Sequence, residues 1–192
     1  MKLNNYKIIL ASGSPRRQQF LKDLELDFKI QLKPVEEIYP EHLKAEQITD
    51  FLAELKAEAF KAELKEKDIL ITSATIVWHN EKALGKPKDK AEAIAMIKSY
   101  MDNWHEVISS VSFTTKNQQI TKSFTTRVHF NQLTDTEIEH YVTNYKPMDK
   151  AGAYGIQEWI GLIGIDKIEG SYFNVVGLPT HMVYKTLMEL TN

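Results

Sequence analysis

Residues 6–24 read YKIILASGSPRRQQFLKDL and carry the signals of a strand, a tight connection and a helix. The apolar run is short and continuous, which is typical of a buried strand. Ser14 suits a helix N-cap and Pro15 suits the first helical position, and the apolar residues that follow recur at helical spacing. We therefore predict a strand over Tyr6–Ala11 that leads directly into a helix.

The same reading extends outward along the chain. The predicted elements are a helix over about residues 45–65, a strand over 69–78 with a turn at 79–82, a helix opened by Asp89 and Glu92, two β segments over 106–115 and 120–130, a helix opened by Thr134 and Glu137, a glycine-dotted segment over 149–177 and a last helix carrying Val183, Leu187 and Leu190. Strands and helices alternate at first and a hairpin follows, so the predicted fold class is α/β with a mixed sheet. The 192 residues predict a single domain, or two lobes that share one sheet.

Composition excludes several classes of function. The formal net charge is -2 and no long block of lysines occurs, which disfavours a general nucleic-acid binder. The absence of cysteine excludes disulfides, thiolate metal sites and a cysteine nucleophile. No apolar stretch is long enough to span a bilayer, and the N-terminal apolar run is too short for a signal peptide. We expect a soluble cytoplasmic protein without nucleic-acid or membrane partners.

Two arginines, Arg16 and Arg17, fall in the first turn of the first predicted helix. The positive end of the helix dipole disfavours cations there, whereas a bound anion would reverse that effect. Ser14, the free backbone N–H groups and two guanidiniums could together hold a phosphate. The alternative is a capped surface helix whose arginines point into water.

Other charged residues are open to two interpretations each. Lys56 lies on the flank of an apolar helical stripe and could lean into a cleft or snorkel off the edge of the core. Lys86, between a glycine and a proline, could be a fixed phosphate contact or part of an ordinary turn. Glu36 and Glu37 could ligate a hard cation or be solvated. The histidines lack the spacing of zinc enzymes, and we predict that His105 is a packed core residue.

Five blocks of the sequence resemble the Maf family and keep that family's order. They are Leu10–Arg17 (LASGSPRR), Leu84–Pro87 (LGKP), His105–Val107 (HEV), Asp149–Gln157 (DKAGAYGIQ) and Ile168–Pro179 (IEGSYFNVVGLP). The resemblance implies an elongated, twisted mixed sheet with flanking helices and two lobes around a cleft, the inosine-triphosphatase-like fold. It also implies hydrolysis of a nucleoside triphosphate between its α and β phosphates, a divalent cation such as Mg²⁺ or Mn²⁺, and a homodimer. Asp149–Gln157 and Ser171–Asn174 are similar to the branch that acts on dTTP and UTP.

The resemblance also assigns roles to individual residues. Arg16, Thr75 and Gln157 match positions that are linked to substrate choice. The basic residues that match the family's site are Arg17, Lys56 and Lys86, and Glu37 matches an acidic residue that we assign to metal or substrate. Preorganised cations of this kind neutralise the charge that builds on a leaving pyrophosphate. Lys150 also matches, and it would either touch the substrate or brace its loop.

One position departs from the family pattern. Ala74 stands where the family carries the aspartate that accepts a proton from water or holds the metal. Either the change was engineered to trap substrate, or a natural variant turns over slowly or only binds. Asp68 and Glu36 are possible substitutes for the missing base. The alternative function is therefore a nucleotide-binding regulator of cell division or growth that works without significant turnover.

Overall fold

The computed structural model describes residues 3–191 and is a mixed α/β protein with helices flanking a seven-stranded sheet. The strands are β1 Lys7–Leu10, β2 Phe28–Ile30, β3 Asp68–His79, β4 Lys82–Leu84, β5 Asn103–Thr114, β6 Gln119–Phe130 and β7 Ile165–Glu169. The helices are α1 Pro15–Asp23, α2 Glu46–Glu58, α3 Lys90–Ser99, α4 Asp135–Tyr145, α5 Trp159–Gly164, α6 Tyr172–Val176 and α7 Thr180–Thr191. Single 3₁₀ turns lie at Lys61–Glu63, Pro147–Asp149 and Ala151–Ala153.

The sheet is mixed, as the sequence predicts. Its strand order is β2-β1-β3-β5-β6-β7, and β4 pairs with β3 off this path. Strand β1 runs parallel to both β2 and β3, whereas β4 is antiparallel to β3 and β7 is antiparallel to β6. The turn between β5 and β6 is closed by the Thr115 N–H, which donates to Gln118 O at 2.8 Å. The predicted hairpin is therefore confirmed.

The chain forms two compact units. The first contains residues up to Ala74, Ser109–Phe124 and the residues from Gly177 onward. Alternation along β1 divides its core into two layers, because Ile8 packs with residues of α1 and α7 whereas Ile9 packs with residues of α2. Helices thus cover both faces of the parallel strands, which is the usual environment of such strands.

The second unit contains Thr75–Ile108 and Thr125–Val176. Its core is rich in aromatic rings, with Tyr100, Phe130 and Tyr141 fully buried. His105 belongs to this core: it is 2% exposed, and its ring lies 4.5 Å from that of Tyr100. The prediction that His105 is a packed residue is confirmed.

Local signals predicted the starts of α1, α3 and α4 correctly, whereas α5 and α6 were not predicted. Asp89 caps α3 by accepting the Glu92 N–H at 2.8 Å. Thr134 and Glu137 form a complete capping box at α4. Helix α2 is shorter than predicted and ends at Glu58, because the chain passes into a 3₁₀ turn that buries Phe60. Strands β2, β4 and β7 were not predicted. Across residues 3–191, none of the helices has the length and apolarity that a membrane crossing requires.

Candidate active site

The site begins where β1 ends beside its parallel neighbour β3. Leu10, the last residue of β1, pairs with Ile71 in the first half of β3. After β1 the chain turns through Ser12 and Ser14 into α1, whereas β3 continues through Ser73 and beyond. The edge where parallel strands end is where α/β proteins place their ligands.

Helix α1 starts as its sequence predicts. The Ser14 side chain accepts the Arg17 N–H at 3.5 Å, Pro15 occupies the first turn, and that turn contains no acidic residue. The Ser14 N–H is itself bound by Ser12 Oγ at 3.3 Å. The helix therefore presents its positive end together with Arg16 and Arg17, both partly buried.

Two cations meet on one main-chain oxygen. Arg17 Nη1 donates to Ser73 O at 3.1 Å, and Lys56 Nζ donates to the same oxygen at 3.2 Å. The Arg17 Nε also donates to Gly177 O at 2.9 Å. Neither Arg17 nor Lys56 is an ordinary surface residue, since Arg17 is partly buried and the Lys56 side chain is only 18% exposed. The sequence could not reveal Ser73 and Gly177, because their contribution is a backbone carbonyl.

Burial gives the site an unusual electrostatic character. Burial, and then repulsion from Arg16, lowers the pKa of Arg17 to about 10, while Glu37 raises it. Arg17 therefore stays protonated at neutral pH, but its charge is poorly compensated by solvent. An anion placed at this end of α1 would relieve the repulsion between the two guanidiniums.

Glu37 is bound to Lys56 rather than to a cluster of acids. Its Oε2 lies 2.8 Å from Lys56 Nζ, and its side chain is half exposed. Within residues 3–191, no group of three or more His, Cys, Asp or Glu side chains is arranged to hold a metal ion. One carboxylate that is already paired with a lysine does not fit a divalent-metal site formed by the protein alone.

Ala74 follows directly after the shared carbonyl and is 3% exposed. Asp68 does not substitute for a carboxylate at this position. It is the first residue of β3, six residues or roughly 20 Å before Ala74, and its Oδ2 accepts the Lys65 N–H at 3.0 Å. Glu36 is exposed and lies outside β3, in the connection between β2 and α2.

The second unit carries the remaining predicted site residues. Thr75 is its first residue and is partly buried in β3. Lys86 is exposed and follows Gly85, whose carbonyl accepts the Gly152 N–H at 2.9 Å. That bond ties the Lys86 turn to the glycine-dotted segment. Gln157 is also exposed and lies in this segment.

Lys150 braces its loop. Its Nζ lies 3.0 Å from Glu158 Oε1 and 2.8 Å from Asp149 Oδ1, and its side chain is only 10% exposed. The sequence left open whether Lys150 touches substrate, and the structure favours the bracing role. The sequence did not predict a role for Glu158, because no motif or periodicity distinguishes it.

This chain is similar to known proteins over nearly its whole length. A protein of Christiangramia forsetii called dTTP/UTP pyrophosphatase is 65% identical over 190 residues, covering 99% of this chain and 97% of its own. Proteins of the same name from Flavobacterium johnsoniae and Bacteroides fragilis are 62% and 46% identical, each over 98% of this chain and 97% and 98% of their own. The solved structure of the Staphylococcus aureus Ham1 protein is similar in fold alone, with a TM-score of 0.52 and 15% identity over 94% of this chain and 99% of its own.

The family comparison covers nearly all of the described chain. The model of the Maf family, described as Maf-like protein, matches residues 7–190. That span contains the start of α1, the carbonyl of Ser73 and the Lys150 loop. This chain therefore belongs to the Maf family.

Proposed function

We propose that this protein is a nucleoside triphosphate pyrophosphatase that acts on dTTP and UTP, and that Ala74 reduces its turnover. The observation that carries the proposal is the meeting of Arg17 and Lys56 on the carbonyl of Ser73, beside the start of α1. A triphosphate brings several negative charges, and partly buried cations and a helix N-terminus are suited to receive them. Support for the pyrimidine substrates comes from the relatives named above.

The reaction is the one that membership of the Maf family implies. Water attacks the α phosphorus and loses its proton to solvent, because Ala74 offers no acceptor. The bond to the oxygen that bridges the α and β phosphates breaks, and pyrophosphate leaves with that oxygen and its additional negative charge. Arg16, Arg17 and Lys56 would stabilise that charge, and Lys86 would add a further point charge. Thr75 and Gln157 would select the nucleotide, since an amide both donates and accepts hydrogen bonds at a base edge.

Ala74 limits the chemistry rather than the binding. A methyl group can neither accept the proton of the attacking water nor ligate a metal. The loss of a general base typically costs about 10²–10⁴-fold in rate. The same feature favours a second candidate function, which is nucleotide binding without turnover in a regulatory role.

The proposal includes a divalent metal ion, a cytoplasmic location and a homodimer. Mg²⁺ or Mn²⁺ would be bound mainly through substrate phosphates, with Glu37 as a carboxylate close to Lys56. The lack of cysteine supports a reducing cytoplasm, and the net charge of -2 is against nucleic acid as a partner. A homodimer follows from the resemblance to the family.

Substitution at position 74 tests the proposal. We expect Ala74→Asp to raise the rate of pyrophosphate release from dTTP by about 10²-fold or more, because it restores a carboxylate next to two cations. The affinity for dTTP should change far less. Burial would raise the pKa of the new carboxyl, whereas the nearby Arg17 and Lys56 would lower it, which favours an ionised base.

Ala74→Asn is the matched control, because it has the same size and shape but cannot act as a base. If Ala74→Asn raised turnover as much as Ala74→Asp, the gain would not come from a proton acceptor. If Ala74→Asp stayed at background while dTTP still bound, binding without turnover would become the leading function.

A further inference from the structure

Gln157 lies in a turn whose backbone is fixed on both sides. The Gly155 N–H donates to the Tyr141 hydroxyl at 3.0 Å, and the Glu158 N–H donates to Gly155 O at 2.9 Å. Gly155 and Ile156 are buried, whereas the Gln157 side chain is exposed. An exposed amide on a rigid turn is a pattern typical of recognition.

The carboxylate of Glu158 holds this turn from two directions. Its Oε1 lies 3.0 Å from Lys150 Nζ, and its Oε2 accepts the hydroxyl of Tyr141 from α4. Burial, together with the Glu158 carboxylate, raises the pKa of Tyr141 above its ordinary range, so the hydroxyl stays protonated and donates. The side chains of Lys150 and Glu158 are 10% and 20% exposed, so solvent screens their ion pair only weakly.

The ion pair of Lys150 and Glu158 and the amide of Gln157 all lie close to Gly155. A Cβ at Gly155 would lie 3.0 Å from both Glu158 Cδ and Lys150 Cε, and 3.1 Å from Gln157 Nε2. The amide of Gln157 and the Lys150–Glu158 pair therefore lie around the same open space beside Gly155.

We propose that Glu158 is a positioning residue for Gln157, and that the chain Tyr141–Glu158–Lys150 sets the orientation of the amide that reads the pyrimidine base. The inference rests on the proposed function, because it gives Gln157 the role of a base contact. A binding site distinguishes one base from another by a hydrogen-bond donor and an acceptor at fixed positions. An amide whose orientation is not fixed would therefore first lose its selectivity between bases. Lys150 then acts through Glu158 and makes no contact with phosphate.

The experiment compares two probes, dTTP and inorganic tripolyphosphate, by titration calorimetry. Tripolyphosphate carries the charge of the substrate but has no base. We expect Glu158→Gln to weaken dTTP binding by about tenfold and to leave tripolyphosphate binding unchanged, since residues in one network couple by energies of that order. Gln157→Ala should give the same pattern.

The double variant Glu158→Gln/Gln157→Ala separates positioning from independent contact. If Glu158 acts through Gln157, the double variant binds dTTP no more weakly than Gln157→Ala alone. If the two losses multiply, or if Glu158→Gln weakens both probes equally, the positioning role is wrong. Unchanged dTTP affinity in folded Glu158→Gln would overturn it as well.

A second variant keeps the test decisive if Glu158→Gln does not fold. Tyr141→Phe removes two hydrogen bonds, the one to Glu158 and the one from the Gly155 N–H, but retains the ion pair, so it should produce a loss that is likewise confined to dTTP. Unaltered dTTP binding in that variant would contradict the proposal. If the unmodified protein binds dTTP no more tightly than GTP, the proposed substrate class fails instead, which is visible without any variant.

Discussion

The guanidinium of Arg17 is held by main-chain oxygens from distant parts of the sequence, Ser73 and Gly177. These bonds orient the side chain at the start of α1, where the helix dipole alone would disfavour a cation. Arg17 therefore has a structural role and a proposed binding role at the same time. Its substitution should affect both stability and affinity.

Replacement of Arg16 and Arg17 together by alanine should weaken dTTP binding by more than about tenfold, because hydrogen bonds to charged groups are each worth about 1.5–3 kcal/mol. The Arg17 component should also lower the free energy of unfolding by about 1–3 kcal/mol, since two carbonyls lose a donor. Calorimetry and urea denaturation measure the two effects. Arg127→Ala, which breaks an exposed pair with Glu169, is the control. Unchanged dTTP affinity in the double variant would contradict the phosphate role.

His105 provides a residue-scale test of the fold. Burial lowers its pKa from 6.5 to about 3, with a smaller contribution from His79. Between pH 6.5 and about pH 3, His105 is protonated in the unfolded chain but stays neutral in the folded protein. The free energy of unfolding therefore decreases as the pH falls below about 6.5. The loss continues towards pH 3 with a slope of up to about 1.4 kcal/mol per pH unit.

His105→Gln should remove this part of the pH dependence. Unfolding free energies in urea at several pH values between 7 and 4 should fall less steeply in the variant than in the unmodified protein. The carboxylates titrate in both proteins and cancel in the comparison. Equal slopes would mean that His105 is protonated in the folded state.

At the scale of elements, capping motifs were predicted correctly because their information lies within four residues. Ser14 and Thr134 each bind the N–H three residues on, and the sequence shows both partners. Strands β2 and β4 carry no such signal, since each has three residues and none of them is buried. Strand β7 was missed because all but its first residue are exposed, which leaves no alternation to detect.

The two caps allow a matched comparison. Ser14→Ala and Thr134→Ala should each destabilise the protein by about 1 kcal/mol, because each leaves a helix N–H without its cap. Only Ser14→Ala should weaken dTTP binding, since α1 and not α4 presents the proposed phosphate site. Thermal unfolding and calorimetry measure these outcomes. Equal dTTP affinities in the two variants would argue against a phosphate at α1.

At the scale of the whole molecule, the order of the sequence motifs predicted the family, whereas the pattern of strands and helices predicted only the fold class. Alternating strands and helices gave the mixed sheet, and five ordered blocks gave the family. The contacts that hold the candidate site were not predictable. Arg17 and Gly177 are 160 residues apart, and a carbonyl partner leaves no trace in the residue type. The role of Lys150 likewise depended on Glu158, which no motif distinguishes.

For the intact protein we predict a preference for pyrimidine nucleotides over purine nucleotides. In a competition series, dTTP and UTP should displace a bound nucleotide at lower concentration than GTP or 7-methyl-GTP. The reason is that Asp149–Gln157 resembles the pyrimidine branch and relatives of 46–65% identity carry the corresponding name. Protection against thermal unfolding should follow the same order, because at equal concentration the ligand with the lower Kd stabilises the folded protein more. Preference for 7-methyl-GTP would overturn the assignment to this branch.

The shared carbonyl of Ser73 has a consequence for how this site tolerates mutation. Every amino acid supplies the same backbone oxygen, so no side-chain change at position 73 removes it while β3 keeps its path. The anchor that Arg17 and Lys56 share is in this sense hidden from point mutation, whereas the neighbouring position 74 is not. An alanine codon that ends in a pyrimidine becomes an aspartate codon by one nucleotide exchange. Under the proposed function, catalysis can therefore be lost and regained at position 74 over a cationic framework that persists unchanged.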